Sequence, residues 1–188
     1  ESIALINYLL NIGSSNDLIP EKRIENLINK FEIKKISSSP PKFSKEILQV
    51  INKNILQSFD FYEISHRFDF IERNLEKDKI WKFVKNNINF FKDINSWIEI
   101  IFSEKNYLKN NFNNKLIDVA VNFLPEEPFD ENTWENWTNI IEEKTGLKGK
   151  NLFMPLRIAL TGKDKGPELK YLLPLLNRDI ILKKFGKT

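Results

Sequence analysis

The chain has 188 residues, with no cysteine, one histidine and one methionine. The lack of cysteine excludes disulfides and thiolate metal sites. The single histidine, His66, argues against a histidine-based metal site or a serine–histidine triad. No apolar run approaches the roughly 20 residues that a membrane span requires. No signal peptide is visible, so no membrane partner is expected and the expected compartment is the cytoplasm. Alternating strand patterns are nearly absent.

What is present fits a soluble globular protein, with 41% hydrophobic and 29% charged residues. The net charge of +3 is mildly basic; it permits nucleic-acid contact without demanding it. The chain begins at Glu1, inside an apolar-periodic segment and without Met, so it is expected to be part of a longer polypeptide.

Apolar residues recur at helical spacing almost throughout. Ile3, Ile6, Leu9 and Leu10 form one helix face that stops at Gly13. Pro20 is expected to open a second helix with Ile24, Leu27, Ile28 and Phe31 as its stripe. Ser44 is the expected N-cap of a third, bearing Ile47, Leu48, Ile51 and Ile55. The aromatic and charged stretch from Phe59 reads as short helices. "KIWKFVKNNINFF" and "INSWIEIIF" read as two amphipathic helices separated near Asp93. "NNKLIDVAVNFL" is another, ending before Pro125, and Asp130 caps a helix that stops at Gly146. The fold class is therefore all-α, in three sections: a small helical module over 1–58 and helix clusters over 59–128 and 129–188, with the firmer break at "LPEEPFD".

"GLKGKNLFMPLRIALTGKDKGPEL", from Gly146 to Leu169, is the least ordinary stretch. Its apolar run is expected to form a helix starting between Lys150 and Phe153, with Leu152, Leu156 and Leu160 on one stripe and Arg157 projecting beside it. Pro155 is tolerated at little cost only if it lies in the first turn. Gly162 ends the helix, and Gly166–Pro167 is expected to start the next with Pro167 at its first position. A helix N-terminus beside Lys163, Lys165 and Arg157 suits a phosphate or the edge of an unstacked base. By itself the stretch fits a plain helical corner with solvated lysines better.

That stretch, followed by "LLPLLNR", resembles the C-terminal signature of bacterial glutamyl-tRNA synthetases. "ALINYLLNIGSS", "FEIKKISSSPPKF", "IWKFVKNNI" and "FLPEEPFDENTWENWTNIIEEKTG" resemble further segments of that family, in order and across the whole chain, in the style of its proteobacterial branch. The family is a class I aminoacyl-tRNA synthetase that joins glutamate to tRNA using ATP and Mg²⁺. The resemblance implies that this chain is the non-catalytic half: a stem-contact module (1–58) and two helical anticodon-binding domains (59–128 and 129–188). No catalytic residue, metal or cofactor is expected here, and ATP and Mg²⁺ belong to the catalytic half of the parent. The implied partner is tRNA-Glu, with tRNA-Gln as a second candidate, bound by a monomer; DNA and membranes are not implied. "KFSKE" looks like the KMSKS loop of the family, but it follows the "NYL" helix instead of preceding it, and it fits a helix start.

By resemblance, Arg157, Lys163, Lys165 and the turn Gly166–Pro167–Glu168–Leu169 face the anticodon. Arginine can bond a base edge bidentately and stack; Gly166 lets the backbone approach; Leu169 packs on a base. Lys165 stands where many relatives have histidine, and Asn177–Arg178 where a glycine is usual. Lys85 stands where relatives often carry an arginine that helps discriminate the third anticodon base; the residues themselves favour a solvated helix face for it, and the resemblance implies that, if it is the equivalent position, discrimination against tRNA-Gln is relaxed. Trp81, Trp97, Trp134 and Trp137, at helical spacing, read as core. Asp60, Glu63, Asp69 and Glu72 read as a solvated face, and "KNYLKNNFNNK" as a polar loop and helix start. The competing readings are a helical protein–protein adaptor, which requires a contiguous exposed apolar patch, and a hydrolase, for which no convergent acids are visible.

Overall fold

The computed structural model describes residues 1–12, 14, 19–71, 76–108 and 113–187. Among these there are eleven α-helices and no strand, only an isolated antiparallel bridge between Ser14 and Ile36. The all-α expectation is met. Gly13, Glu72 and part of "KNYLKNNFNNK" lie outside the described residues.

Contacts divide the chain into two compact units: residues 1–68 with 88–94, and residues 69–87 with 95–188. This partition differs from the three sections expected. The segment around "LPEEPFD" is not a break in contacts. Helices α7 (Asn114–Asn122) and α8 (Thr133–Thr145) on either side of it pack on each other. The Trp137 indole N–H donates to the Ala120 carbonyl at 2.9 Å. Arg178 Nη1 donates to the carbonyls of Leu124 and Pro125, both at 2.7 Å, which folds the connection back onto its own unit.

In the smaller unit α1 (Ser2–Asn11) packs on α3 (Lys45–Ser58) through Ala4, Tyr8, Ile51 and Ile55. The buried face of α1 is thus Ala4, Asn7 and Tyr8, whereas Leu9, expected inside, is exposed. Asn7 explains a second departure. Its amide accepts from the Glu21 N–H at 2.8 Å and donates to the Glu21 carbonyl at 2.9 Å. Both backbone groups of Glu21 are taken by a side chain, so helix α2 begins at Ile24 rather than Pro20 and runs to Lys30. Ser44 caps α3 as expected, accepting from the Ile47 N–H at 3.2 Å. Helix α4 (Phe61–Ile64) starts with a capping box made by Asp60 and Glu63.

The larger unit holds α5 (Lys77–Val84), most of α6 (Ile94–Phe102), and helices α7 to α11. Its core includes Trp81, Phe83, Trp97 and Trp137. Trp81, Trp97 and Trp137 are core as read; Trp134 is only half-buried. Asp130 Oδ1 accepts from the N–H groups of Asn132 and Thr133, so it caps the start of α8 from just outside it. Gly146, at φ 73°, ends α8 in the left-handed conformation.

Candidate nucleic-acid interface

Helix α9 (Lys150–Thr161) positions the residues singled out from the sequence. Leu152, Leu156 and Leu160 are fully buried, as their spacing requires. Pro155 lies in the second turn, not the first, so the Asn151 carbonyl loses its i+4 donor. The helix ends at Gly162, and α10 is a single turn, Leu169–Leu172. The expectation that Pro167 opens that helix is corrected: Glu168 is the N-cap, and its side chain makes no bond to the first N–H groups of the helix.

The connection between α9 and α10 is pinned at three points. Arg157, half-buried at the edge of the leucine stripe, donates from Nη1 to the Pro167 carbonyl at 2.9 Å. Thr161 Oγ1 donates to the Arg157 carbonyl at 2.7 Å and accepts from the Lys163 N–H at 3.1 Å. Trp97 lies under the turn. The Lys163 ammonium sits 4.9 Å from its ring centroid, and Gly166 touches its edge, where any Cβ would overlap the ring. Trp97 in turn meets Phe83 of α5 edge-to-face, with centroids 5.6 Å apart.

Arg157 is therefore not simply a projecting side chain. One arm is committed to the backbone, and burial pushes the guanidinium below its ordinary range while leaving it charged. Gly166 is required by its contact with Trp97 and by its φ of 148°. Pro167 is buried. Leu169 is only 3% exposed, so its side chain is mostly core, whereas it was expected to pack on a base. Lys163 and Lys165 are exposed. Lys85 opens a 3-10 turn just past α5, two residues after Phe83, instead of standing on an α-helix face. Lys148 and Lys150 stand at the far end of α9 from Lys163 and Lys165, and Lys148 pairs with Glu142 at 2.8 Å.

To Arg157, Glu168 and Leu169 the structure adds Trp134, Phe153 and Lys170, and the six line an open groove of about 230 Å³. The Trp134 and Phe153 rings lie 6.2 Å apart at 40°, and Phe153 is 42% exposed. Lys170 pairs with Glu168 at 2.8 Å, which raises its pKa. Half-exposed aromatic faces, a partly desolvated guanidinium and a carboxylate suit a planar, hydrogen-bonding ring better than a phosphate. Spacing carried no signal for Trp134: residues three apart share a helix face, so Trp134 and Trp137 read alike as core. Among the described residues there is no cluster of acidic or histidine side chains that could hold a metal ion.

A sequence profile of the anticodon binding domain matches residues 54–187. The chain belongs to that family. It is 35% identical over 184 residues to glutamate–tRNA ligase 1 of Rickettsia felis, covering 98% of this chain and 41% of that protein. It is 34% identical over 186 residues to glutamate–tRNA ligase 1 of Ehrlichia ruminantium, covering 99% and 41%. The chain thus spans well under half the length of these relatives and corresponds to their C-terminal, anticodon-binding region. Its fold is that of part of the glutamate–tRNA synthetase structure from Elizabethkingia anophelis, with a TM-score of 0.76 at 22% identity over 98% of this chain and 39% of the other. The corresponding ligase from Elizabethkingia meningosepticum gives 0.77 at 22% identity, over 98% and 40%.

Proposed function

We propose that this chain is the tRNA-binding part of a glutamate–tRNA ligase and that its larger unit reads the anticodon. The observation that carries the reading is the groove beside Arg157, set within an anticodon-binding-domain match that spans residues 54–187. An anticodon base splayed from its loop can stack on Trp134 and Phe153 while the free arm of Arg157 bonds its edge. Glu168 can accept from a cytosine amine. Lys163 and Lys165 supply charge to the flanking phosphates, and the Gly166–Pro167 turn and the Leu169 backbone shape the wall. Lys85 gives charge where a bidentate arginine would give edge readout, which relaxes discrimination between tRNA-Glu and tRNA-Gln. In family terms, residues 1–58 are the stem-contact module, and 59–128 and 129–188 the anticodon-binding domains. The chain works as a cytoplasmic monomer. It positions tRNA for glutamylation by a catalytic half that carries the ATP and Mg²⁺ sites; alone it is inactive.

The test is binding of the chain to tRNA-Glu, tRNA-Gln and a tRNA-Glu with a scrambled anticodon across a salt series. Preference for the intact anticodons is expected, falling roughly tenfold or more in Trp134→Ala, a stacking loss of about 1–3 kcal/mol. Arg157→Lys, which keeps the charge and loses the planar fork, should also lose the preference. Equal binding of all three RNAs at every salt concentration would refute the reading.

A further inference from the structure

The turn that joins α9 to α10 contains two glycines at positive φ, Gly162 at 69° and Gly166 at 148°. Glycine has the most conformational freedom to lose, so such a turn keeps one shape only when something outside it holds it. At Gly166 that is Trp97. At Gly162 it is Tyr107, a half-buried residue: a Cβ there would lie 2.6 Å from Cδ1 and 2.8 Å from Cε1 of the ring. One stretch of chain supplies both rings, Trp97 within α6 and Tyr107 just beyond its end.

Residues 103–108 form a strap that is itself tied down. Ser103 Oγ accepts from the Lys105 N–H at 3.1 Å and from the Tyr107 hydroxyl at 3.3 Å. Asn106 Oδ1 accepts from the Leu108 N–H at 2.8 Å, and the amide end of Asn106 lies against Gly186, past the end of α11 (Arg178–Lys184). Glu104 pairs with Lys183 at 2.7 Å. The ammonium groups of Lys105 and of the buried Lys184 each lie 5.7 Å from the Tyr107 ring centroid, and both attractions favour the ring where it stands.

We infer that Tyr107 is a positioning residue for anticodon recognition. Its ring fixes the Gly162 end of the turn as Trp97 fixes the Gly166 end, and together they preorganise Lys163, Lys165 and the Gly166–Pro167 backbone beside the Arg157 groove. This rests on the reading of that groove as the anticodon site. Tyr107 acts through the turn and not by touching RNA. A turn already in its binding shape has little conformational entropy left to lose when RNA arrives, so the gain falls on specific binding. Non-specific attraction needs only the charge of the lysines, whatever the shape of the turn.

The test compares Tyr107→Ala and Tyr107→Phe with the unmodified chain, by amide hydrogen exchange without RNA and by binding to tRNA-Glu with an intact or a scrambled anticodon. In Tyr107→Ala, exchange over residues 163–166 should speed up by roughly tenfold or more, with α8 unaffected. The preference for the intact anticodon should fall by roughly tenfold, while the scrambled RNA binds as before at low salt. Tyr107→Phe keeps the ring and loses only the bond to Ser103, so it should retain both the protection and the preference. A loosened turn with unchanged preference would overturn the proposal. So would a phenylalanine variant that behaves like the alanine one. Faster exchange throughout α8 would make Tyr107 a general core residue and would overturn it as well. Absence of preference in the unmodified chain would count against the proposed function instead, and the exchange measurement would still decide whether Tyr107 holds the turn.

Discussion

The two units differ in how completely they close their own cores. Among the described residues the larger unit leaves four large apolar side chains exposed, and the smaller unit thirteen, although it is the shorter of the two. Among the described residues of the larger unit the buried side-chain polar atoms have partners. The Trp137 indole bonds a carbonyl, and Lys184, fully buried, donates to the Ile100 carbonyl at 2.8 Å. The smaller unit has a tight seam between α1 and α3 and, beside it, helix faces that stay about half open to solvent. Helical patterning thus states that a face is to be buried. It does not state whether the partner is in the same chain.

The largest effect should come from the closed core. Trp137→Ala removes a side chain with no exposed surface, packed on Phe185 and Trp134, and is expected to cost about 3–5 kcal/mol in thermal or denaturant unfolding. A serine at Ile33 should change stability by less than about 0.5 kcal/mol. Costs of similar size at the two positions would break the comparison.

Lys184 offers the next effect. Burial lowers its pKa from the ordinary 10.5 to about 8. The folded state therefore holds this proton less tightly than the unfolded state does. Below about pH 8 the full penalty for the buried charge is present; it is relieved as pH rises through the window from about 8 to 10.5. Relative to Lys184→Met, the parent chain should gain about 3 kcal/mol across that window, read from unfolding midpoints at each pH. A difference that stays flat with pH would mean that the ammonium is solvated in the folded chain.

A smaller effect belongs to the smaller unit. Ser44→Ala removes the cap of α3 and should cost about 1 kcal/mol. The loss should appear as faster exchange near Ile47 and not in α9.

Much of this was legible beforehand. Ser44, Gly146 and Gly162 mark helix ends by chemistry that is local to a few residues, and the leucine stripe of α9 follows from spacing alone. The errors have non-local causes. Pro20 looked like a helix start, but Asn7 on another helix takes the backbone bonds of Glu21. Leu169 looked available to a base and is mostly core, because the turn before it is drawn inward by Arg157 and Trp97. Trp134 looked like core and lines the groove, because α8 is covered on the Trp137 side first.

The amino-acid sequence by itself determined the helical class, the caps and the kinds of side chain that could meet an RNA base. Those depend on interactions within one or two turns and on residue chemistry. Tertiary structure alone decided which of those side chains remain accessible. Exposure is set by what packs against a residue from elsewhere in the chain: Arg157 spends one arm on Pro167, Gly166 lies against Trp97, and Trp134 and Phe153 are left facing solvent with their rings 6.2 Å apart.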